Sequence, residues 1–338
     1  MLKYLLVVIT ILSFFVSCQN EPEIKIDNNQ INKFSSDTGK VAQITQEIIK
    51  DSRNPELYKK RAEALFKNKN VADAISDLEL AILLDSTNTE YLNLISDYWI
   101  VNGNSKPTKE YLDKSFAINP ENPQTLVRYA KLYLIVKDYM KSFEYANNAI
   151  KYDASLYTPY FVKALCYTET GDSIRAIKEL QKTVNLNSEF YDAYQMLGVL
   201  CTKTNDSLAI SYFKIAQKLK PQSIEAHYAL GYYYQENTKY NEAINEYNFI
   251  INNIDSTFSQ AYYNIGYVNL VYLENYKEAV NNFKLAINYN QNNPDSYYNL
   301  GFSYEKIGKK EKAKEFFEKA LKLNPEHELS INGLKRIK

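Results

Sequence analysis

From residue 41 onward, apolar side chains recur every three or four positions. Tyr297, Leu300, Gly301 and Tyr304 fall at i, i+3, i+4 and i+7; beyond a polar break, Ala313, Phe317, Ala320 and Leu321 fall at i, i+4, i+7 and i+8. Each set marks one face of an amphipathic helix, and a turn around Gly308 joins the two. Pro325 cannot continue the second helix and ends it. Gly301 lies inside the apolar stripe, which predicts a close approach between paired helices.

The pattern repeats. Units span 55–88, 89–122, 123–156, 157–190, 191–223, 224–258, 259–293 and 294–327, with lengths of 34, 34, 34, 34, 33, 35, 35 and 34 residues. Position 8 is small throughout: Ala62, Ser96, Ala130, Ala164, Gly198, Gly231, Gly266 and Gly301. Position 20 is small as well, running Ala74, Thr108, Ser142, Ala176, Ala209, Ala243, Ala279 and Ala313 after a one-residue adjustment in the fifth and seventh units. A bulky side chain at either place overpacks the pair. Gly103, Gly171 and Gly308 suit helix ends that need φ > 0. The second unit diverges most, with Trp99 and Thr108, and the sixth carries Ile250 where alanine is expected.

An aromatic, Leu-Gly, Tyr, Ala, Phe, Ala and Pro spread over 34 residues resembles the tetratricopeptide repeat, or TPR. The resemblance implies an all-α, right-handed solenoid of about eight helix-turn-helix repeats with capping helices at both ends. Val41, Ile44 and Ile48 form a half-repeat over 41–54, and Ile331, Leu334 and Ile337 form a C-terminal cap over 328–338 with Lys335, Arg336 and Lys338 outward.

The N-terminus reads differently. One lysine precedes a short apolar run, Tyr4–Val16, too short to span a bilayer comfortably, and the chain turns polar after Cys18. Phe15-Val16-Ser17-Cys18 resembles a bacterial lipobox, with Phe15 departing from the usual aliphatic residue. That resemblance implies a signal peptide over 1–17, lipid attachment at Cys18 and a flexible polar tether over 18–40. With Gln19 after the cysteine, it implies an outer-membrane lipoprotein of the bacterial cell envelope.

Composition narrows the function. With 45% hydrophobic and 24% charged residues the chain is globular, and 40 basic against 40 acidic residues with no basic run argue against nucleic acid. His227 and His327 lie in distant units without a ligand cluster, so neither a metal nor a cofactor is expected. Cys166 and Cys201 occupy neighbouring units at roughly helix-packing distance, about 8–10 Å, which is too far for a disulfide. No acid, base or nucleophile set converges, and no catalytic residue is assigned. The expectation is a non-catalytic scaffold.

In TPR proteins positions 2, 5, 9, 12 and 13 of the first helix face the concave groove. Here position 5 ends in Tyr228, Tyr263 and Tyr298, followed at position 6 by Asn264 and Asn299; position 9 ends in Tyr232, Tyr267 and Phe302. Position 5 tyrosine is common in the average repeat, but position 9 is usually polar, so those three aromatics stand out. Aromatic anchors carry large contact area at low entropy cost, and the chain has 31 tyrosines overall, so placement is what carries the argument. The eight residues form the expected ligand row for a protein or peptide partner, with a glycan in polysaccharide or cell-wall assembly as the alternative. A clamp for acidic peptide tails, which pairs Lys at position 5 with Asn at position 9, is not supported, because Lys59 is followed by Glu63. Acidic residues at position 2 (Glu56, Glu90, Asp192, Glu225, Asp295) favour the positive end of each helix dipole.

Overall fold

The computed structural model describes Asn29, residues 32–34, 39–203 and 208–338. Cys18, the signal segment and most of the expected tether lie outside the described residues. Among those described there are eighteen α-helices, one π-helical turn and no strand. In order they are α1 (Lys40–Lys50), α2 (Pro55–Lys67), α3 (Val71–Leu84), α4 (Thr89–Val101), α5 (Ser105–Ile118), α6 (Pro123–Ile135), α7 (Tyr139–Tyr152), α8 (Thr158–Glu169) and α9 (Ser173–Leu186). They continue with α10 (Tyr191–Lys203), α11 (Ala209–Leu219), α12 (Ile224–Glu236), α13 (Tyr240–Asn253) and α14 (Ser259–Tyr267), which runs into the π turn Val268–Tyr272. The last four are α15 (Tyr276–Tyr289), α16 (Pro294–Lys306), α17 (Lys310–Leu323) and α18 (Glu328–Ile337). The architecture is an all-α, TPR-like solenoid of paired helices, divided into two compact units that meet in sequence between Leu132 and Tyr133.

Local chemistry sets where these helices start and stop. Asn54, Asn88 and Asn293 cap α2, α4 and α16 by accepting from the second backbone N–H of each helix at 3.2, 3.0 and 3.0 Å. Pro55, Pro123 and Pro294 occupy the first turn, where no N–H is needed. At position 15, or 16 in the lengthened seventh repeat, every repeat whose turn is described passes through a left-handed residue. Gly103, Gly171 and Gly308 were expected there, and Lys69, Lys137, Thr238 and Glu274 adopt the same conformation with φ of 63, 60, 59 and 51°. The following N–H then reaches back to the helix, as Asn70 N does to the Leu65 carbonyl at 2.9 Å. That closure holds side chains in a conformation that costs about 1 kcal/mol or more outside glycine.

The unit ending at Leu132 has a charged pair in its core. Arg61 and Asp77 are fully buried and joined by two hydrogen bonds of 2.7 Å, while Arg61 also donates to Thr45 Oγ1 at 3.3 Å. Burial pushes the Asp77 carboxyl up from its ordinary value, and the guanidinium opposes that shift. Phe34 lies within the stretch read as a flexible polar tether. It is buried in this core, 5.3 Å from the Arg61 guanidinium, and Lys33 pairs with Asp73 beside it. An aromatic ring in an otherwise polar stretch finds the apolar surface next to it. In the divergent second repeat, Thr108 is satisfied by the Asn104 carbonyl at 2.8 Å.

In the last four repeats, the close approach foreseen at position 8 has a specific partner. It is the aromatic ring at position 24. A Cβ built on Gly198, Gly231, Gly266 or Gly301 would come within 2.4, 2.8, 3.0 and 2.8 Å of the rings of Phe213, Tyr247, Phe283 and Phe317. A Cβ built on Gly333 of α18 would likewise come within 2.8 Å of the Phe317 ring, so the last helix closes on the same ring. The two long repeats absorb their extra residue differently. In the sixth it enters the exit turn, where Ile254 N and Asp255 N share the Ile250 carbonyl at 3.0 and 2.9 Å. In the seventh it enters the first helix as the π turn, closed by Leu273 N on the Val268 carbonyl at 3.0 Å.

Two outcomes test this packing. Alanine at Gly198 lowers unfolding free energy more than alanine at Gly266, by about 1–3 kcal/mol against a smaller loss, because the first Cβ meets its ring much closer. Denaturant titration of the two variants gives the order. Asp77→Ala strands the Arg61 charge and costs on the order of 3–5 kcal/mol, whereas a paired apolar replacement of Arg61 and Asp77 comes out near neutral. The same titration reads both.

Candidate functional site

The expected ligand row lies on the first helices of the last three full repeats, α12, α14 and α16. Its position 5 residues are built into the core as a second layer. Tyr228, Tyr263 and Tyr298 rest on the position 24 rings of Tyr247, Phe283 and Phe317 at centroid distances of 5.8, 5.7 and 5.6 Å. Each position 24 ring is thus held between a glycine and a position 5 tyrosine. Burial pushes the Tyr263 hydroxyl up to about 12, so it acts as a neutral hydrogen-bonding group.

Asn264 and Asn299 lie below the surface of the row, and both are buried. Asn299 Nδ2 donates to the Tyr263 hydroxyl at 3.0 Å, which ties α16 to α14. The Asn264 carboxamide lies beside the Tyr247 hydroxyl, and its Nδ2 has no partner in hydrogen-bonding geometry. The Tyr247 hydroxyl itself donates to Gln235 Oε1 at 3.3 Å.

Position 9 carries the outward part of the row, and its three members differ. Tyr232 is 49% exposed. Tyr267 is half-buried and stacks on Tyr263 at 6.4 Å. Phe302 lies parallel to Tyr298 at 5.9 Å and is covered by two cations, Lys306 at 5.2 Å and Arg336 at 5.3 Å. Arg336 is held there by two hydrogen bonds to the Glu305 carboxylate, 3.1 and 3.0 Å. The terminal helix therefore closes the Phe302 end of the row, leaving the Tyr232 and Tyr267 end open.

Three residues outside the expected set join that open end. The π turn carries Tyr272 around to meet Tyr267 edge-on at 5.9 Å and Tyr240 face-on at 4.5 Å, with only 13° between the latter two rings. Tyr272 keeps 39% of its surface exposed. Glu236, at the end of α12, is the chief cause of an upward shift at the Tyr232 hydroxyl, and it also adds to the upward shift that burial causes at Tyr272. A regular 34-residue repeat has no counterpart to Tyr272 at this place. The one sequence signal for it was the extra residue of the seventh repeat.

Elsewhere the cysteines, the histidines and Lys59 are engaged structurally. Cys166 and Cys201 are buried and unlinked; Cys166 donates to Ser142 Oγ at 3.2 Å, and burial raises its thiol. His227 contacts Glu246 through Nδ1 at 2.7 Å and stacks on Phe249, and His327 caps α18 while contacting Asp295 at 3.0 Å. Lys59 pairs with Glu90 across the first two repeats at 2.5 Å. Among the described residues no group of three or more His, Cys, Asp or Glu side chains is arranged to hold a metal ion. No described helix is long and apolar enough to cross a membrane.

With this geometry in place, similarity to known proteins is informative. Residues 294–327 match the tetratricopeptide repeat model and residues 269–308 a second TPR repeat model. A TPR repeat-containing protein of Methanocaldococcus jannaschii is 23% identical over 270 residues, covering 78% of this chain and 42% of its own. The chain thus spans less than half the length of that relative. The Pseudomonas aeruginosa PilF structure aligns at a TM-score of 0.52 and 14% identity, covering 60% of this chain and 91% of its own. A chain of the Cut9-Hcn1 hetero-tetramer of the APC/C aligns at 0.49 and 16% identity over 85% of this chain and 56% of its own. Repeat helices, glycine–ring packing and sequence matches agree on the class. Residues 269–327 carry tetratricopeptide repeats, and they lie in an all-α, TPR-like solenoid.

Proposed function

We propose that this protein is a non-catalytic scaffold or adaptor of the bacterial cell envelope, anchored through lipid on Cys18, that binds a protein or peptide partner along the first-helix face of its last repeats. The observation that carries the binding reading is the open aromatic surface of Tyr232, Tyr267 and Tyr272. These rings stand beside position 5 tyrosines that the core already holds rigid. Rigid, partly exposed aromatics lose little entropy when a partner covers them, which is what interface anchors require. TPR architecture is consistent with such a partner. The anchoring reading rests on the short apolar run ending at Cys18 and on the lipobox-like residues before it. The exposed ring faces also favour a second reading, stacking against a glycan.

Two experiments test these readings. Random peptides displayed on phage and selected on the full-length chain yield binders whose affinity falls when Tyr232 or Tyr267 is changed to Ala, by on the order of 1–3 kcal/mol for each anchor. Selection without any tyrosine-dependent binder overturns the peptide reading. Saturable glycan-array binding in its place favours the second. For the anchor, cells fed a fatty-acid analogue incorporate label into the wild-type chain and not into Cys18→Ala. Equal labelling of both removes Cys18 as the attachment site.

A further inference from the structure

Several aromatic rings of this protein have a cation over them. Lys220 lies 3.9 Å from the Tyr191 centroid, Arg175 4.9 Å from Tyr167, Lys141 5.0 Å from Tyr133 and Lys239 5.8 Å from Tyr234. At the closed end of the ligand row, Lys306 and Arg336 both cover Phe302. The open end differs from the closed one. Among the described residues no lysine or arginine lies over Tyr232, Tyr267, Tyr272 or Tyr240.

The acid at this place is uncompensated too. Glu236 is exposed and forms no ion pair among the described residues, in contrast to Glu305, which holds Arg336 at the other end of the row. Tyr232 and Tyr272 both feel the Glu236 charge, so the carboxylate lies within electrostatic reach of both hydroxyls. An aromatic face carries negative potential, and several faces grouped beside a carboxylate attract a cation and repel an acid. The closed end shows the same elements already satisfied from within the chain: a ring, a glutamate and a guanidinium. At the open end the ring and the glutamate are present and the cation is missing.

We infer that the patch of Tyr232, Tyr267, Tyr272 and Tyr240 beside Glu236 receives a lysine or arginine side chain of the peptide partner. This rests on the peptide-binding reading above and adds the charge of the residue recognised. The π turn is what assembles it, since it brings Tyr272 between Tyr267 and Tyr240 at 5.9 and 4.5 Å. The Tyr240 and Tyr272 rings make a flat, paired wall, and Tyr267 meets Tyr272 at 74° to form a corner. The aliphatic stem of a lysine or arginine lies along such a corner while its charged head faces the carboxylate.

The test uses peptides selected on the full-length chain that need Tyr232 and Tyr267 for binding. They are expected to share a lysine or arginine, and replacing it by norleucine or citrulline weakens binding to the wild-type chain about ten-fold. Glu236→Gln weakens the cationic peptide several-fold and leaves its neutral derivative unchanged, so the two changes are not additive. Thermal melting of Glu236→Gln, an isosteric change at an exposed position, verifies that the fold is kept. Tyrosine-dependent peptides that bind equally well with norleucine or citrulline overturn the cation site and leave the peptide-binding reading standing. A full loss on neutralising the peptide that is identical in wild type and Glu236→Gln removes Glu236 from the site. Failure to obtain any tyrosine-dependent peptide overturns both readings together.

Discussion

In the last four repeats the packing turns on one contact, the glycine at position 8 against the aromatic ring at position 24. Because a hydrogen replaces a side chain at Gly198, Gly231, Gly266 and Gly301, the ring of the second helix drops onto the backbone of the first. No larger residue permits that approach without moving one helix. In the last three repeats the exposed side of the ring is then covered by the position 5 tyrosine, so the core and the candidate surface share a side-chain layer. The surface aromatics are rigid because the core beneath them is close-packed. Gly333 repeats the contact on Phe317 and lets the short final helix act as a lid on the last ring.

The π turn in α14 shows how a one-residue length change becomes a surface feature. Inserted in the exit turn, as in the sixth repeat, an extra residue leaves the helix faces in register. Inserted in the first helix of the seventh, it widens one turn and rotates the side chains beyond it. Tyr272 is consequently carried onto Tyr240 of the preceding repeat, a contact for which a regular repeat has no equivalent. Such turns cost helical hydrogen-bond geometry and often mark places where function outweighs regularity. Here the buried Asn269 amide recovers one bond by donating to the Ile265 carbonyl at 2.9 Å.

Charge is handled differently in the two compact units. The unit ending at Leu132 buries Arg61 with Asp77 and covers the pair with Phe34, a costly arrangement unless each hydrogen bond is made. The following unit keeps its charges near the surface, where lysines and arginines spread over aromatic faces and Glu305 braces Arg336. Among the described residues no lysine or arginine lies over the tyrosines beside Glu236, whereas Phe302 has two cations over it.

The repeat itself was legible in the sequence, because its determinants are local: apolar residues at helical spacing, small residues at positions 8 and 20, and prolines or glycines at the ends. Only the glycines among the left-handed turn residues could be read, since Lys69, Lys137, Thr238 and Glu274 take that conformation under the hydrogen bonds that close the helix and not by preference. Phe34 gave no periodic signal, being a single ring in a polar stretch, and the core of the first unit decided its place. The eight residues of the expected ligand row lie on the first helices of three successive repeats, yet their accessibility was not readable. Whether Asn264 is buried, whether Arg336 covers Phe302, or whether Tyr272 turns toward Tyr267 depends on residues 30 or more positions apart, or on a turn that one-dimensional spacing cannot orient. The sequence by itself therefore determined the helices, their pairing and the candidate face. Tertiary packing decided which rings on that face remain open, because burial is a property of neighbours in space.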